Sequence, residues 1–125
     1  AMMDAGADVM YAERFGVADA AVERGVKAIG NVIDTSDDYP GTILASAIWH
    51  MEPTIDRAVE AVRAGEFEPI DYGQYSFMAF GGGSLVVDDE LVPADVVAEV
   101  EAKKEEILAG LFRVNVNDDE PTSTR

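Results

Sequence analysis

A chain of 125 residues, 48% hydrophobic and without cysteine, suits one domain with a buried core and excludes disulfides, thiolate nucleophiles and cysteine-ligated zinc. Its 25 acidic residues against 9 basic ones give a net charge of −16, which argues against nucleic acid or an anionic membrane, since phosphate contacts need basic side chains. The acids are scattered over predicted helices and loops, and lysine is confined to Lys27, Lys103 and Lys104; this fits a salt-rich setting in which self-repulsion is screened.

Residues 1–6 read as the last turns of a helix closed by Gly6, whose start would lie upstream, so the chain is expected to be a piece of a longer protein. Residues 7–12 read as a short buried strand, 13–16 as a turn, 17–24 as a helix closed by Gly25, and 26–30 as a second strand. A strand, a helix and a parallel strand in so short a stretch is the βαβ signature. In open parallel sheets ligands bind at the carboxyl ends of the strands. That rule selects two loops, one carrying Glu13, Arg14 and Phe15 and the other running from Asn31 to Asp34. Neither holds a nucleophile–base pair or a metal cluster, so the pattern points to binding, with no cofactor, and not to an enzyme.

A polar stretch over 34–41 ends in a Pro-Gly turn signal, and 42–49 reads as a third buried strand. Glu52 and Pro53 open a helix whose Ile55, Val59 and Val62 fall at helical spacing, predicting a stripe for the core; Gly65 ends it. Residues 72–80 alternate like a strand, Gly81, Gly82 and Gly83 break it as a hinge or tight turn, and 84–87 form a short strand. Pro93 opens a long helix to about residue 111, with Val96, Val97, Val100, Ile107, Leu108 and Leu111 on its inner side. The tail after residue 116 is polar and acidic. No repeat or linker divides the chain. No apolar run approaches the ~20 residues of a membrane span, and no charged segment leads into an apolar one as an export signal would.

The order of these segments is similar to that of a known family. Gly6-Ala7-Asp8-Val9, then Gly25-Val26-Lys27-Ala28-Ile29-Gly30, an acidic loop, and Pro40-Gly41-Thr42-Ile43 running on to Ala47-Ile48-Trp49-His50-Met51 resemble the basic membrane protein family. Further on, Val62-Arg63-Ala64-Gly65, the triple glycine, and Pro93-Ala94-Asp95-Val96-Val97 continue the series. The resemblance covers residues 1–116 and implies the C-terminal lobe of a solute-binding lipoprotein of an ABC importer, with 117–125 as a flexible acidic tail. The expected fold is α/β, a three-layer α/β/α lobe with a mostly parallel sheet like that of type I periplasmic binding proteins. The implied function is extracytoplasmic capture of a purine base or nucleoside by a membrane-anchored protein. Implied partners are an ABC permease and an N-terminal lobe that closes over the ligand. An isolated lobe would expose the face its partner covers, which favours self-association.

The candidate ligand-binding residues are Glu13, Arg14, Phe15, Asn31, Asp34 and Trp49. Many nucleoside-binding members of the family carry Gly-Val-Asp-x-Asp-Gln after the second strand; here Asp34 matches the later acid and Val32 replaces the earlier one. Trp49 stands where those members carry lysine and offers a stacking surface for a planar base, or simply packs in the core. Phe15 either stacks on ligand or caps the sheet. Glu13 and Arg14 suit the edge of a base or form a solvated pair. Asn31 can donate and accept toward a base, or hold its own loop. His50, the sole histidine, has no acid close in sequence and reads as structural or as support for Trp49. The alternative readings are a ligand-free or dimerising regulatory module, and a flavodoxin-like sensor or enzyme domain. The latter would need a lysine or a clustered acid pair at neighbouring strand ends, and Lys27 lies at the start of its strand.

Overall fold

Glycines in the left-handed conformation bracket the first helix. In the computed structural model, which describes residues 2–11, 14, 16–115 and 119, helix α1 (Val17–Arg24) starts after Gly16 at φ 92° and stops at Gly25 at φ 66°. Both values lie where a side chain would clash, so glycine sets both ends. Strand β1 (Val9–Tyr11) precedes α1 and strand β2 (Lys27–Val32) follows it, paired in parallel with Met10 opposite Ala28. The βαβ order read from the sequence describes the molecule, but β1 is an edge strand with Val9 and Tyr11 exposed and not the buried strand expected, since nothing pairs on its outer side among the described residues. At the chain's start the helical turn is a short 3-10 turn, Met3–Ala5, closed by Gly6.

Strand β3 (Ile43–Trp49) lies parallel to β2, and β4 (Gly83–Val87) lies antiparallel to β3, giving the order β1-β2-β3-β4. The chain is an α/β domain with a mostly parallel sheet. The β2–β3 register slips by one residue: Ala28 faces Ile43, but Ile29 faces Ala45, so Leu44 is the extra residue of a bulge. A one-residue insertion reverses side-chain alternation. Hence Ile43 and Ser46, three apart, both fall on the face of Ala28 and Gly30. The freed Leu44 carbonyl accepts the Asp88 amide at 2.9 Å, tying the end of β4 to the bulge.

The core forms where α1 crosses this face. Ala21, Ala28 and Ile43 are buried together, with Met3, Ala18, Val26 and Tyr39 packed around them. Alanines let the helix approach the sheet closely. Tyr39 belongs to the helix-free connection between β2 and β3, and its hydroxyl donates to Asp19 Oδ1 at 2.9 Å, so that connection is fastened to α1 over the same face.

The remainder departs from the sequence reading at three places. Residues 72–80 are not a strand but two 3-10 turns, Gly73–Ser76 and Met78–Phe80. The half-buried residues here, Tyr72, Tyr75 and Met78, recur every three positions, which is the 3-10 repeat and not the strand repeat of two. Ser76 Oγ donates to the Gly73 carbonyl at 2.6 Å, and Tyr75 meets Phe80 edge to face at 5.4 Å. Gly81 and Gly82 make a tight turn into β4, which Gly83 begins: a Cβ on Gly82 would sit 2.0 Å from the Tyr75 carbonyl oxygen.

Helix α2 (Glu52–Ala64) turns Ala61 inward and leaves Ile55, Val59 and Val62 exposed, so the expected core stripe faces outward. The helix packs against the 73–76 turn, and its less exposed residues are small, Pro53, Thr54, Ala58 and Ala61. Helix α3 (Ala94–Leu108) packs on the 78–80 turn with Val97, Val100 and Ile107 half-buried, while Val96, Leu108 and Leu111 are exposed. Each helix thus has a narrower covered face than its apolar periodicity foretold. The expected acidic tail, residues 117–125, lies outside the described residues apart from Asp119.

Candidate functional site at the strand ends

The carboxyl ends of β1, β2 and β3 lie side by side, because the three strands are parallel neighbours. Arg14 follows β1, and Asn31 is the penultimate residue of β2, inside the strand and not in the loop after it. Arg14, Asn31, Val32 and Thr35 line one small cleft of about 90 Å³ beside the start of α1. Two of the expected ligand residues, Arg14 and Asn31, are therefore brought together. Glu13 and Phe15 lie outside the described residues.

Backbone geometry at this point is unusual. Val32 has φ 78°, and it is the one non-glycine residue at positive φ among the described residues. For a β-branched side chain that conformation is strained by about 1–2 kcal/mol. Asn31 Oδ1 accepts the Val32 amide at 2.9 Å and helps hold the kink. Asn31 therefore does hold its own loop; its amide NH₂ remains the group available to a ligand.

Asp34 lies elsewhere. Its Oδ1 accepts the Ser36 amide at 3.1 Å and the Ser36 hydroxyl at 2.8 Å. The Ser36 amide holds its carboxyl below the usual value; burial opposes this, and the Ser36 and Ser46 hydroxyls and the Thr35 amide add to the lowering. Asp34 lines a second, larger cleft of about 240 Å³ with Ser46, Val86, Asp88, Asp89 and Glu90, on the face shared with α1. Trp49 ends β3 opposite Gly83 and is 54% exposed, lining neither cleft. Strand alternation puts Asn31, its neighbour Ala47 and Trp49 on the same face of the sheet, so Trp49 flanks the strand ends as a free aromatic surface. His50 Nε2 pairs with Ser84 Oγ at 2.8 Å, and its amide donates to the Gly82 carbonyl at 3.0 Å; it braces β3 against β4.

Val32, Thr35, Ser46 and the acidic run 88–90 carried no expectation as site residues. The kink had one sequence signal, the valine standing where the family pattern has an acid. Ser46 was visible only as a polar residue within an apolar strand. Among the described residues no group of three histidine or acidic side chains is placed to hold a metal ion.

Comparison with known proteins bears on this arrangement. No protein-family model matches the chain, and no curated protein matches it. Among solved structures it is similar to an ABC transporter solute-binding protein from Conexibacter woesei, with 26% identity, a TM-score of 0.57, and coverage of 91% of this chain and 39% of that one. The chain shares its fold with ABC solute-binding proteins. A second such protein, from Aeropyrum pernix, superposes with a TM-score of 0.63 at 19% identity, covering 94% of this chain and 43% of that one. A transcriptional activator of the comK gene from Bacillus halodurans gives a TM-score of 0.69 at 24% identity, covering 86% of this chain and 38% of that one. The chain thus spans about two-fifths of the length of the structures it matches. The resemblance read from the segment order holds at the level of fold. None of the three is described as an enzyme. No helix among the described residues is long and apolar enough to cross a membrane.

Proposed function

We propose that the chain is the C-terminal lobe of an extracytoplasmic solute-binding protein that captures a purine base or nucleoside for an ABC permease. The observation that carries this reading is the strained Val32 beside Asn31 and Arg14 at the carboxyl ends of the parallel strands. Strain of this kind collects where a loop is held in shape for a ligand. A planar heterocycle would stack on Trp49, with Phe15 as a further aromatic wall. Asn31 and Arg14 would meet its polar edge, with Glu13 at the same loop. Asp34, fixed low by Ser36, would serve a ribose hydroxyl only if the ligand extends toward the second cleft. The cleft at Arg14 and Asn31 is too small to enclose such a ligand alone, which agrees with a site completed by a second lobe closing over it. The lipoprotein anchor and the salt-rich habitat belong to the same proposal.

Likeness to a transcriptional activator favours a second reading, in which the same lobe reports bound ligand to a regulatory partner. Both readings need ligand at the strand ends. Thermal unfolding in about 2 M KCl, where screening is short-ranged, with millimolar adenine, guanine, adenosine or inosine tests them together. Ligand at ~100-fold above its dissociation constant adds ~2.7 kcal/mol of stability. A rise with one purine, abolished in Trp49→Ala and Asn31→Ala, supports the proposal. No rise with any purine, either in this chain or in the two-lobed protein, overturns the ligand assignment.

A further inference from the structure

Helix α2 carries an apolar surface that stands open to solvent. Met51, Ile55, Val59 and Val62 are all exposed. At ~3.6 residues per turn they fall within about 80° of the helix circumference and form one stripe. The Ile55 amide donates to the Met51 carbonyl at 3.0 Å, which brings Met51 into the first turn. Scattered apolar side chains on a surface are ordinary, whereas an aligned stripe bordered by charge marks a contact surface. One side of this stripe adjoins Thr54 and Ala58, small and half-buried, which would let a second helix come close. The other side adjoins Asp56 and Arg63, both exposed.

Those two charges select the partner. Acids outnumber basic residues 25 to 9 in this chain, and Arg24, Lys103 and Lys104 each hold one. Asp56 and Arg63 form no hydrogen bond or ion pair among the described residues. They stand seven residues apart on the same flank, about 10.5 Å along the axis, too far to meet each other. A second α2 laid antiparallel, about a twofold axis across the stripe, brings Asp56 of each copy opposite Arg63 of the other. The same rotation lays stripe on stripe. The surface is therefore complementary to itself in both apolar pattern and charge, as an isologous contact requires. A uniformly acidic partner would satisfy Arg63 but repel Asp56.

We propose that α2 is a homodimer contact: an antiparallel helix pair joined by Met51, Ile55, Val59 and Val62 and by two reciprocal Asp56–Arg63 ion pairs. Four apolar side chains from each copy make a small interface, so the dimer is weak and exchanges readily. The charge of −16 on each copy opposes approach at low salt. Added KCl screens that long-range repulsion more than the close pairs, so association strengthens as salt rises from low to moderate concentration. None of this rests on the strand-end ligand site.

Sedimentation equilibrium of the 125-residue chain in about 0.5 M KCl tests the contact. A monomer–dimer equilibrium is expected, with a dissociation constant on the order of 100 μM. Arg63→Asp and Asp56→Arg should each weaken it at least about tenfold, because like charges then face each other at both ends. The double variant Asp56→Arg/Arg63→Asp should return to within about threefold of the parent chain. The two single variants shift net charge in opposite directions, so an effect of bulk charge would weaken one and strengthen the other. The double variant also carries both unfavourable helix-dipole changes, so recovery there cannot come from better folding. A chain that stays monomeric up to about 1 mM would leave the stripe to another partner, the rest of a longer protein included, and overturn the proposal. Opposite effects of the single reversals, or a double variant no tighter than either, would overturn it as well.

Discussion

Asn31 and Val32 form a unit: the Asn31 side-chain Oδ1 accepts the Val32 amide at 2.9 Å while Val32 holds φ at 78°. The strand does not simply end there; it is bent by a residue poorly suited to the bend and braced by its neighbour. Val32→Gly removes strain of about 1–2 kcal/mol but adds backbone freedom costing about 0.5–1 kcal/mol. The expected result is a gain of up to about 1 kcal/mol in urea unfolding, with weaker ligand binding as the loop loosens. Asn31→Ala should instead cost about 0.5–1.5 kcal/mol by orphaning the Val32 amide. A destabilised Val32→Gly would mean that the valine side chain contributes more by packing than its conformation costs.

Much of the order was legible because local chemistry decided it. Gly16 and Gly25 bracket α1, and the run from Ile43 to Trp49 has no polar residue except Ser46, so both elements were readable without tertiary information. The region around Tyr72, Tyr75 and Met78 was misread because aromatic residues favour strands, while the repeat of three and the Asp71 side chain accepting the Gly73 amide at 2.7 Å decide for a 3-10 turn. At the site, sequence order placed Arg14 and Asn31 at strand ends. It did not foresee that the bulge at Leu44 turns Ser46 toward Gly30, or that Asp34 lines a different cleft. Register shifts are set by pairing between strands, and no single strand records them.

Gly30 and Ser46 provide a test of that register. A Cβ on Gly30 would lie 2.9 Å from Ser46 Oγ and 3.0 Å from Thr35 Oγ1. Gly30→Ala is expected to cost about 1–3 kcal/mol, the usual range for overpacking a filled site. Ser46→Ala removes an unpartnered hydroxyl and should be neutral or stabilising by up to about 1 kcal/mol. Because the two positions touch, the double variant should recover part of the loss, giving a favourable coupling in a denaturation cycle. Strict additivity would place Ser46 away from Gly30 and refute the observed register.

Asp34 makes a prediction in pH. Its folded-state pKa is lowered, chiefly by the Ser36 amide, from an ordinary 3.8. A depressed carboxyl contributes stability that is complete above its unfolded value and is lost as pH falls through the lower folded value. Asp34→Asn should therefore reduce stability near neutral pH and flatten its decline below about pH 4. Equilibrium unfolding of both proteins between pH 2 and 7 reads this directly. Parallel declines over that interval would show that other carboxylates carry the acid sensitivity.

The exposed stripe on α2 reverses the usual expectation for its two kinds of residue. Val62 is large and 60% exposed, while Ala61 beside it is small and 6% exposed. Helical periodicity alone would assign the energy to the valine. In this structure Val62→Ser should change stability by less than about 0.5 kcal/mol, as surface substitutions do. Ala61→Leu should cost about 1–3 kcal/mol, because Ala61 is buried and the added atoms would overpack its surroundings. Measured by urea unfolding at low protein concentration, the two effects would differ in size and in the opposite sense to side-chain volume. A Val62→Ser loss as large as that of Ala61→Leu would mean that the stripe is covered in solution, and sedimentation across a concentration series would then show whether a second copy covers it.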